Sequence, residues 1–475
     1  MRLVQQILVQ IYLFILATLP TSQYIEGVVG QPRSFFPNEL TAQHDKTISH
    51  MIYRGLFKYD IYGALVPDLA ESWTVSNGGL VYTIKLKANQ KWLDGSKVTS
   101  DDLIYTAFKT QNLSDVATDK VDDRTVRFTL PNKFSPFLSL LTDGVMRANS
   151  LEDLNKLRPM GNSNWHVARV KHSGALIKEI VLVNYADENK IPRIVFRYYS
   201  NTDELITAGK LGEIDGFVVD EKIDPDRFDH FKEFKFPSQG VYYALFFNTR
   251  NEKFKDEAFR KKLDGVLPIE KLVKDRGIPV QGAISRSQFT DPETEYNHFI
   301  EDFLPETLNE SVTIIVPDIA SHGEITNLIK SIWEDTFGIS VTINKVPLDK
   351  IGETVKKRDF EILLYGQEVG RDPDRYVNWH STQIGAPGLN LTGFSHVRAD
   401  RALEEGRNEV DPRKRRVHYN EFQKVINEQV PAIFLYHPYF YHYVTKEIEG
   451  VGEKYTFNTS DRFLDFANWK RIEKN

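Results

Sequence analysis

The sequence predicts an α/β protein built from two lobes. Three observations carry that expectation. The chain has 475 residues, more than one ordinary hydrophobic core accommodates, so two or more lobes are expected. Residues 311–365 read strand, helix, strand, helix, strand, an order that calls for a parallel sheet with right-handed crossovers. A further α/β stretch precedes this block with no low-complexity linker between them, which predicts lobes joined by short crossings. The crossings are expected near "PSQG", 237–240, and "YHPYFY", 436–441.

The elements follow in order. The leader "MRLVQQILVQIYLFILATLP" carries one Arg and an uninterrupted apolar run from Ile11 to Ala17. That suits the hydrophobic region of a secretory signal. An uncleaved anchor is the alternative, although the run is short for a full membrane span. "QYIEGVVGQPRSFFPNEL" is strand-like and broken by Pro32 and Pro37, and "ISHMIYRGLFKYD" runs from helix into strand. Residues Val81 to Lys87 alternate over β-branched and aromatic types, as a half-buried strand does. Asp94-Gly95 supplies a turn. Thr99 and Asp102 then stand at capping-box spacing, and Asp101 and Asp102 suit the positive end of the helix dipole. "VDDRTVRFTL", 121–130, alternates again, and "SPFLSLLTDGVM" is a helix opened by Pro136. Residues 176–183 and 193–199 are strands, and "TDELITAGKLGEIDGFVV" is a helix stopped at a glycine, then a strand.

Within the 311–365 block, "EITNLIKSIWEDTFG" places Ile325, Leu328, Ile329, Ile332, Trp333 and Phe337 at helical spacing, with Gly338 as the stop. Asp411-Pro412 then reads as an N-cap with Pro at the first helical position. The helix after it carries Tyr419, Phe422 and Ile426 on one face and stops before Pro431. "AIFLYHPYFYHYV" follows as a strand-rich aromatic run.

Composition narrows the function. A formal net charge of −6 leaves no domain-wide basic excess to meet nucleic acid. The absence of cysteine removes disulfides, thiolate metal sites, a Cys nucleophile and a lipid-modified cysteine together. There is no HExxH, GxSxG or P-loop. His437 and His442, five apart, are expected to have packing or surface roles. "RKRR", 413–416, is expected to be a solvated face of its helix, and Asp122-Asp123 and Glu404-Glu405 ordinary surface pairs. Two stretches stand out. "YGQEVGRDPDRYVNWHSTQ", 365–383, follows the last strand of the parallel block, where open α/β sheets bind ligands. "GVYYALFFNT", 240–249, is an aromatic strand at a crossing, and its tyrosines suit either a ligand-lining wall or a core.

The run "YRGLFKYDIYGALVPDLAESWTVSNGGLVYTIKLKANQKWLDGSKVTSDDLIYTAF" carries Gly63, Pro67, Leu69, Ala70, Trp73, Trp92, Asp94, Gly95, Thr99 and Asp102. Together with "AGKLGEIDGF", "FFNTRNEKFKDEAFRKKLDGVLPIEKLV" and the run from "RDPDRYVNWHSTQ" to "QKVINEQVPAIFLY", it resembles the extracytoplasmic solute-binding proteins of the oligopeptide/dipeptide/nickel type that feed ABC importers. The resemblance covers nearly the whole chain after the leader.

The resemblance implies a bilobed periplasmic-binding-protein-like fold, type II and enlarged, with a ligand cleft between two α/β lobes. Residues 1–24 would be a signal peptide or N-terminal anchor. Residues 25–240 plus 440–475 would form a discontinuous first lobe, with a short insertion at about 105–165, and 241–439 the second lobe. It implies a non-enzymatic receptor that closes about a hinge on a peptide or similar solute. Glu368 or Asp372 would hold the ligand's ammonium group. Arg371, Trp379, Tyr242, Tyr243 and Asn248 would complete the site.

The expected partners are the solute and an ABC permease. No cofactor or nucleic acid is expected, and the protein is expected to be a monomer that meets a membrane only through its N-terminal segment. It is placed in the periplasm or on the outer face of the cytoplasmic membrane. The alternatives are a ligand sensor of the same fold and a cleft hydrolase. The family's "GTGPY" turn is replaced here by "GNSNWHV". The leader generates a test: residues 1–30 fused to a reporter that is active only after export should give signal, and a silent cytoplasmic fusion contradicts the placement.

Overall fold

The computed structural model describes residues 22–148, 155–186, 190–224, 228–280, 282–284, 299–300, 303 and 306–472. Apart from its last three residues, the leader expected at 1–24 lies outside the described residues. The chain divides into two compact units, Met1–Phe236 with Phe440–Asn475, and Pro237–Tyr439. Among the described residues no helix is long and apolar enough to cross a membrane.

The first unit is organised on a mixed sheet. Strand Gln23–Val29 lies parallel to Arg193–Tyr199 and to Gly216–Val219. Leu176–Asn184 and Trp165–Ser173 extend the sheet antiparallel on one side, and the tail of Ala432–Thr445 pairs with Gly216–Val219 on the other. A second, four-stranded antiparallel sheet joins Ala70–Ser76, Val81–Leu86, Thr125–Thr129 and Ala117–Asp122. Of the two strands that fall within the expected insertion at 105–165, Thr125–Thr129 pairs with Val81–Leu86, which precedes it, and Ala117–Asp122 pairs with Thr125–Thr129.

The corner at residues 92–102 is tied as its turn chemistry requires. Gly95 has φ of 80°, which an L side chain rarely adopts. Asp102 accepts from the Thr99 backbone N–H at 2.8 Å, from Trp92 Nε1 at 3.2 Å and from the Ala148 N–H at 2.8 Å. Arg147 pairs with Asp94 at 2.8 Å.

The returning C-terminal segment is locked into this unit by a buried polar cluster. Glu26, in the central strand, accepts from Tyr24 Oη at 2.6 Å and from Arg462 Nε at 2.9 Å, while His442 lies 3.8 Å away. Tyr24, Phe463, Phe466 and Trp469 pack edge-on or tilted around it. Burial pushes the Glu26 carboxyl up, but the Arg462 charge, the nearby His442 and the hydrogen bond from Tyr24 override it and hold its pKa at about 2.

The second unit contains the expected β-α-β-α-β block: Ser311–Pro317, Ala320–Phe337, Ser340–Val346, Leu348–Lys357 and Ile362–Glu368. The first helix ends at Gly338 in the left-handed conformation, φ 62°. The sheet order is Ser340–Val346, Ser311–Pro317, Ile362–Glu368, Val241–Phe247, then the start of Ala432–Thr445. The three strands of the block are parallel and the last two antiparallel. Both faces are covered. Leu245 and Phe247 pack with Ile325, Ile329 and Trp333. Tyr242, Ala244 and Phe246 pack on the other face with Leu403, Tyr419, Phe422 and Ile426. Period-2 alternation sends successive residues to opposite faces, so a strand buried on both faces reads as an unbroken apolar run.

Because the folded pKa of Glu26 lies below the ordinary carboxyl value, the stability it contributes is complete above about pH 4.5 and is lost as pH falls toward about 2. At pH 7, Glu26→Gln leaves Arg462 buried without its counter-charge and should cost about 3–5 kcal/mol in denaturant unfolding. The gap to wild type should narrow as pH falls through that window. A gap that does not change with pH contradicts the assignment.

Candidate functional site

Two strands of the parallel block end level, at Pro317 and Val346, and the third runs on in the same direction to Glu368. Val241 is paired with Glu368, and Tyr243 with Tyr436, so the start of Val241–Phe247 and the residues around Pro438 share that edge. Both points where the chain leaves this unit, Phe236/Pro237 and Tyr439/Phe440, therefore open from its carboxyl edge. The first unit repeats the arrangement. Its parallel strand Gly216–Val219 ends with Val219 opposite Tyr441, just past the second crossing. Carboxyl edges of parallel strands are where such sheets bind ligands, because loops there are free of the sheet's own hydrogen bonding.

The loop after Glu368 is held down at nearly every residue. The Val369 N–H donates to the Gly240 carbonyl at 2.9 Å. Asn378 Nδ2 reaches back to the Glu368 carbonyl at 3.4 Å. Arg375, buried in this unit, donates to the carbonyls of Asp372 at 2.7 Å, Gly370 and Asp374 at 3.3 Å, and Ala283 at 3.0 Å. Asp372 receives a two-pronged contact from Arg415, at 2.6 and 2.9 Å, and accepts the Asp374 N–H at 2.9 Å. Arg415 also donates to Tyr419 Oη at 3.0 Å and to the Gly406 carbonyl at 3.0 Å. Asp374 is taken by Arg407 at 2.7 and 2.9 Å, and that guanidinium lies 4.1 Å over the Tyr376 ring. Burial lowers the Arg415 pKa, and the Asp372 carboxylate more than reverses this, holding it above its ordinary value.

This geometry sorts the expected site residues. Glu368 is exposed at the carboxyl edge, and Tyr243 is half-buried near it, stacked on Tyr436 at 5.2 Å and edge-on to His322 at 4.8 Å. Arg371 is half-buried in the loop and not free. Four expectations are corrected. Asp372 is not an open carboxylate, because Arg415 and the Asp374 N–H engage both of its oxygens. Tyr242 and Trp379 do not line a ligand surface: they are 0% and 1% exposed. Trp379 Nε1 donates to Tyr242 Oη at 3.2 Å, which donates to Gln367. Asn248 lies at the opposite end of its strand, where Phe247 pairs with Ile362, and its side chain donates to the Phe360 carbonyl at 3.0 Å.

Sequence reasoning missed Arg375, Arg407 and Arg415. Arg415 carried a signal: with Tyr419, Phe422 and Ile426 it follows the 4-3-4 spacing of one helix face, so it belongs to the buried side and not to the solvated face expected of "RKRR". Among the described residues no group of His, Asp and Glu could hold a metal ion. A cavity of about 140 Å³ lies elsewhere in this unit, lined by Leu267, Val280, Ile426, Val430 and Phe434, and none of the loop residues borders it.

As a core residue, Trp379→Ala should remove about 3–5 kcal/mol of unfolding free energy with no ligand present. A loss within about 0.5 kcal/mol, the usual surface value, contradicts the placement.

Among curated proteins, the oligopeptide-binding protein AppA of Bacillus subtilis (strain 168) is 24% identical, with 94% of this chain and 91% of that protein covered. The probable D,D-dipeptide-binding periplasmic protein DdpA of Escherichia coli (strain K12) is 21% identical, with 91% and 92% covered. Among solved structures, the ABC transporter substrate-binding protein CtaP of Listeria monocytogenes superposes with a TM-score of 0.79 at 19% identity, covering 95% of this chain and all of that one. AppA of Bacillus subtilis in complex with a nonapeptide gives 0.67 at 21% identity, with 96% and 100% covered. The likeness carries the expected two-lobed α/β fold class. The model of the bacterial extracellular solute-binding proteins, family 5 (middle region), matches residues 64–386. With more than half its length inside that match, the chain belongs to the bacterial extracellular solute-binding proteins of family 5.

Proposed function

We propose that this protein is an extracytoplasmic receptor that captures a peptide or peptide-like solute through its free amine and delivers it to an ABC importer, with Glu368 as the ammonium anchor. The observation that carries the reading is the sorting of carboxylates on the loop. Asp372 and Asp374 are paired with Arg415 and Arg407, while Glu368 stands exposed at the carboxyl edge. Glu368 is thus the exposed carboxylate that the loop offers to a ligand, which suits one ammonium group. The names of the relatives, an oligopeptide-binding and a probable D,D-dipeptide-binding protein, support a peptide as that ligand.

Capture works as a population shift, the ligand favouring the conformation in which it makes more contacts, with the chain bending at its two crossings. The receptor works as a monomer without a cofactor and meets the membrane only through its N-terminal segment. The arginine pairing of the loop aspartates removes them as general acids or bases, which supports a receptor over a hydrolase.

Calorimetry tests the anchor. An ammonium–carboxylate pair withdrawn from water costs roughly 3–5 kcal/mol to break from one side, which is two to three orders of magnitude in affinity. Glu368→Gln should show that loss for a tripeptide that the wild type binds, and N-acetylation of the tripeptide should reproduce it. A loss under tenfold from both, the range of an exposed pair, overturns the anchor.

A further inference from the structure

We propose that Arg415 is a positioning residue for ligand capture, acting through Asp372 to hold the Glu368 loop in the geometry that receives the ligand. The inference rests on the reading of Glu368 as the ligand's anchor.

The loop is a closed circuit of contacts. It leaves the sheet at Glu368, whose partner is Val241. It is caught at once by the Val369 to Gly240 hydrogen bond, and Asn378 folds back onto the Glu368 carbonyl. Within the circuit, Arg375 gathers the carbonyls of residues 370, 372 and 374. The contacts of Asn378 and of Arg375 to residues 368–374 are local, whereas the Val369 to Gly240 hydrogen bond, the two arginine pairs and the Arg375 contact to Ala283 tie the loop to distant parts of the chain. Arg415 comes from helix Pro412–Gln429 and Arg407 from Val397–Asn408, the helices that cover one face of the sheet.

The Arg415 pair is the less exposed of the two. Its side chains are 5% and 15% exposed, against 24% and 10% for Arg407 and Asp374. A planar guanidinium fork fixes a carboxylate in both position and tilt, which an ammonium cannot do. The backbone from Glu368 to Asp372 is therefore set by a helix that does not itself supply the anchor, and a receptor with a loop ordered in advance loses less entropy on binding.

Arg415→Lys keeps the charge and removes the fork. Tyr419→Phe removes a second partner of the guanidinium and is the milder variant should the first fail to fold. Two readouts on the full-length protein decide. Deuterium exchange is followed at the loop amides 369–379 and in the strand Ile362–Leu364. Capture is measured with a synthetic mixture of tripeptides bearing free amines, the bound peptide being quantified by mass spectrometry.

In Arg415→Lys the loop amides should exchange at least tenfold faster with the strand unchanged, and capture should fall at least tenfold. Tyr419→Phe should give the same pattern with a smaller amplitude. Three results overturn the proposal: unchanged loop exchange, a looser loop with undiminished capture, or protection lost evenly across the unit, which marks a merely structural pair. Failure of the wild type to capture any tripeptide sinks the peptide reading instead, and the exchange comparison then judges the latch alone.

Discussion

A sheet buried on both faces leaves only its ends for recognition, and the second unit is built under that constraint. Helices cover Leu245 and Phe247 on one side and Tyr242, Ala244 and Phe246 on the other. Polar groups within those layers would need partners at every atom. On the proposed reading, the chemistry available to a solute collects at the carboxyl edge, at Glu368 and the loop that follows. The same edge carries both chain crossings. A ligand contact there acts close to the segments that must bend if the two units move, which is how small contact energies come to shift a conformational equilibrium.

The loop also shows how the acids of one short stretch come to differ in exposure. Two aspartates of "DPD" are neutralised by arginines from helices farther along the chain, and Arg375 ties down the carbonyls between them. Breaking such a pair from one side strands a charge in a low-dielectric site. These pairs therefore hold the shape of the loop more firmly than exposed pairs such as Lys357–Glu353 do. In the first unit the Glu26, Arg462 and His442 cluster plays the corresponding structural part, fixing the C-terminal segment on the central strand.

Much of the fold was legible because it is written in local patterns. The spacing of Ile325, Ile329, Trp333 and Phe337, and the stop at Gly338, gave the long helix, and the alternation at 311–365 gave the parallel block. That Glu368 stands at the carboxyl edge was legible because the place of that edge follows from strand order, although the strand itself runs on to include it. The fates of Tyr242 and Trp379 were not. An aromatic residue serves a wall or a core equally well, and only the cover supplied by helices far along the chain decides between them. Asn248 failed for a related reason: a strand has two ends, and which end meets the loop after Glu368 depends on antiparallel pairing with Ile362–Glu368. The Asp372–Arg415 pair spans 43 residues, beyond the reach of local periodicity, although the helical phase of Arg415 with Tyr419 pointed inward.

The central claim is that recognition takes place at the carboxyl edge of the second unit through one carboxylate. The most direct measurement is a crystal structure of the full-length protein grown with a mixture of free-amine peptides. The account predicts a bound peptide whose amino group lies within hydrogen-bonding distance of the Glu368 carboxylate, with Asp372 still clasped by Arg415. A peptide seated elsewhere with Glu368 left in solvent, or one whose amine has displaced Arg415 from Asp372, contradicts it.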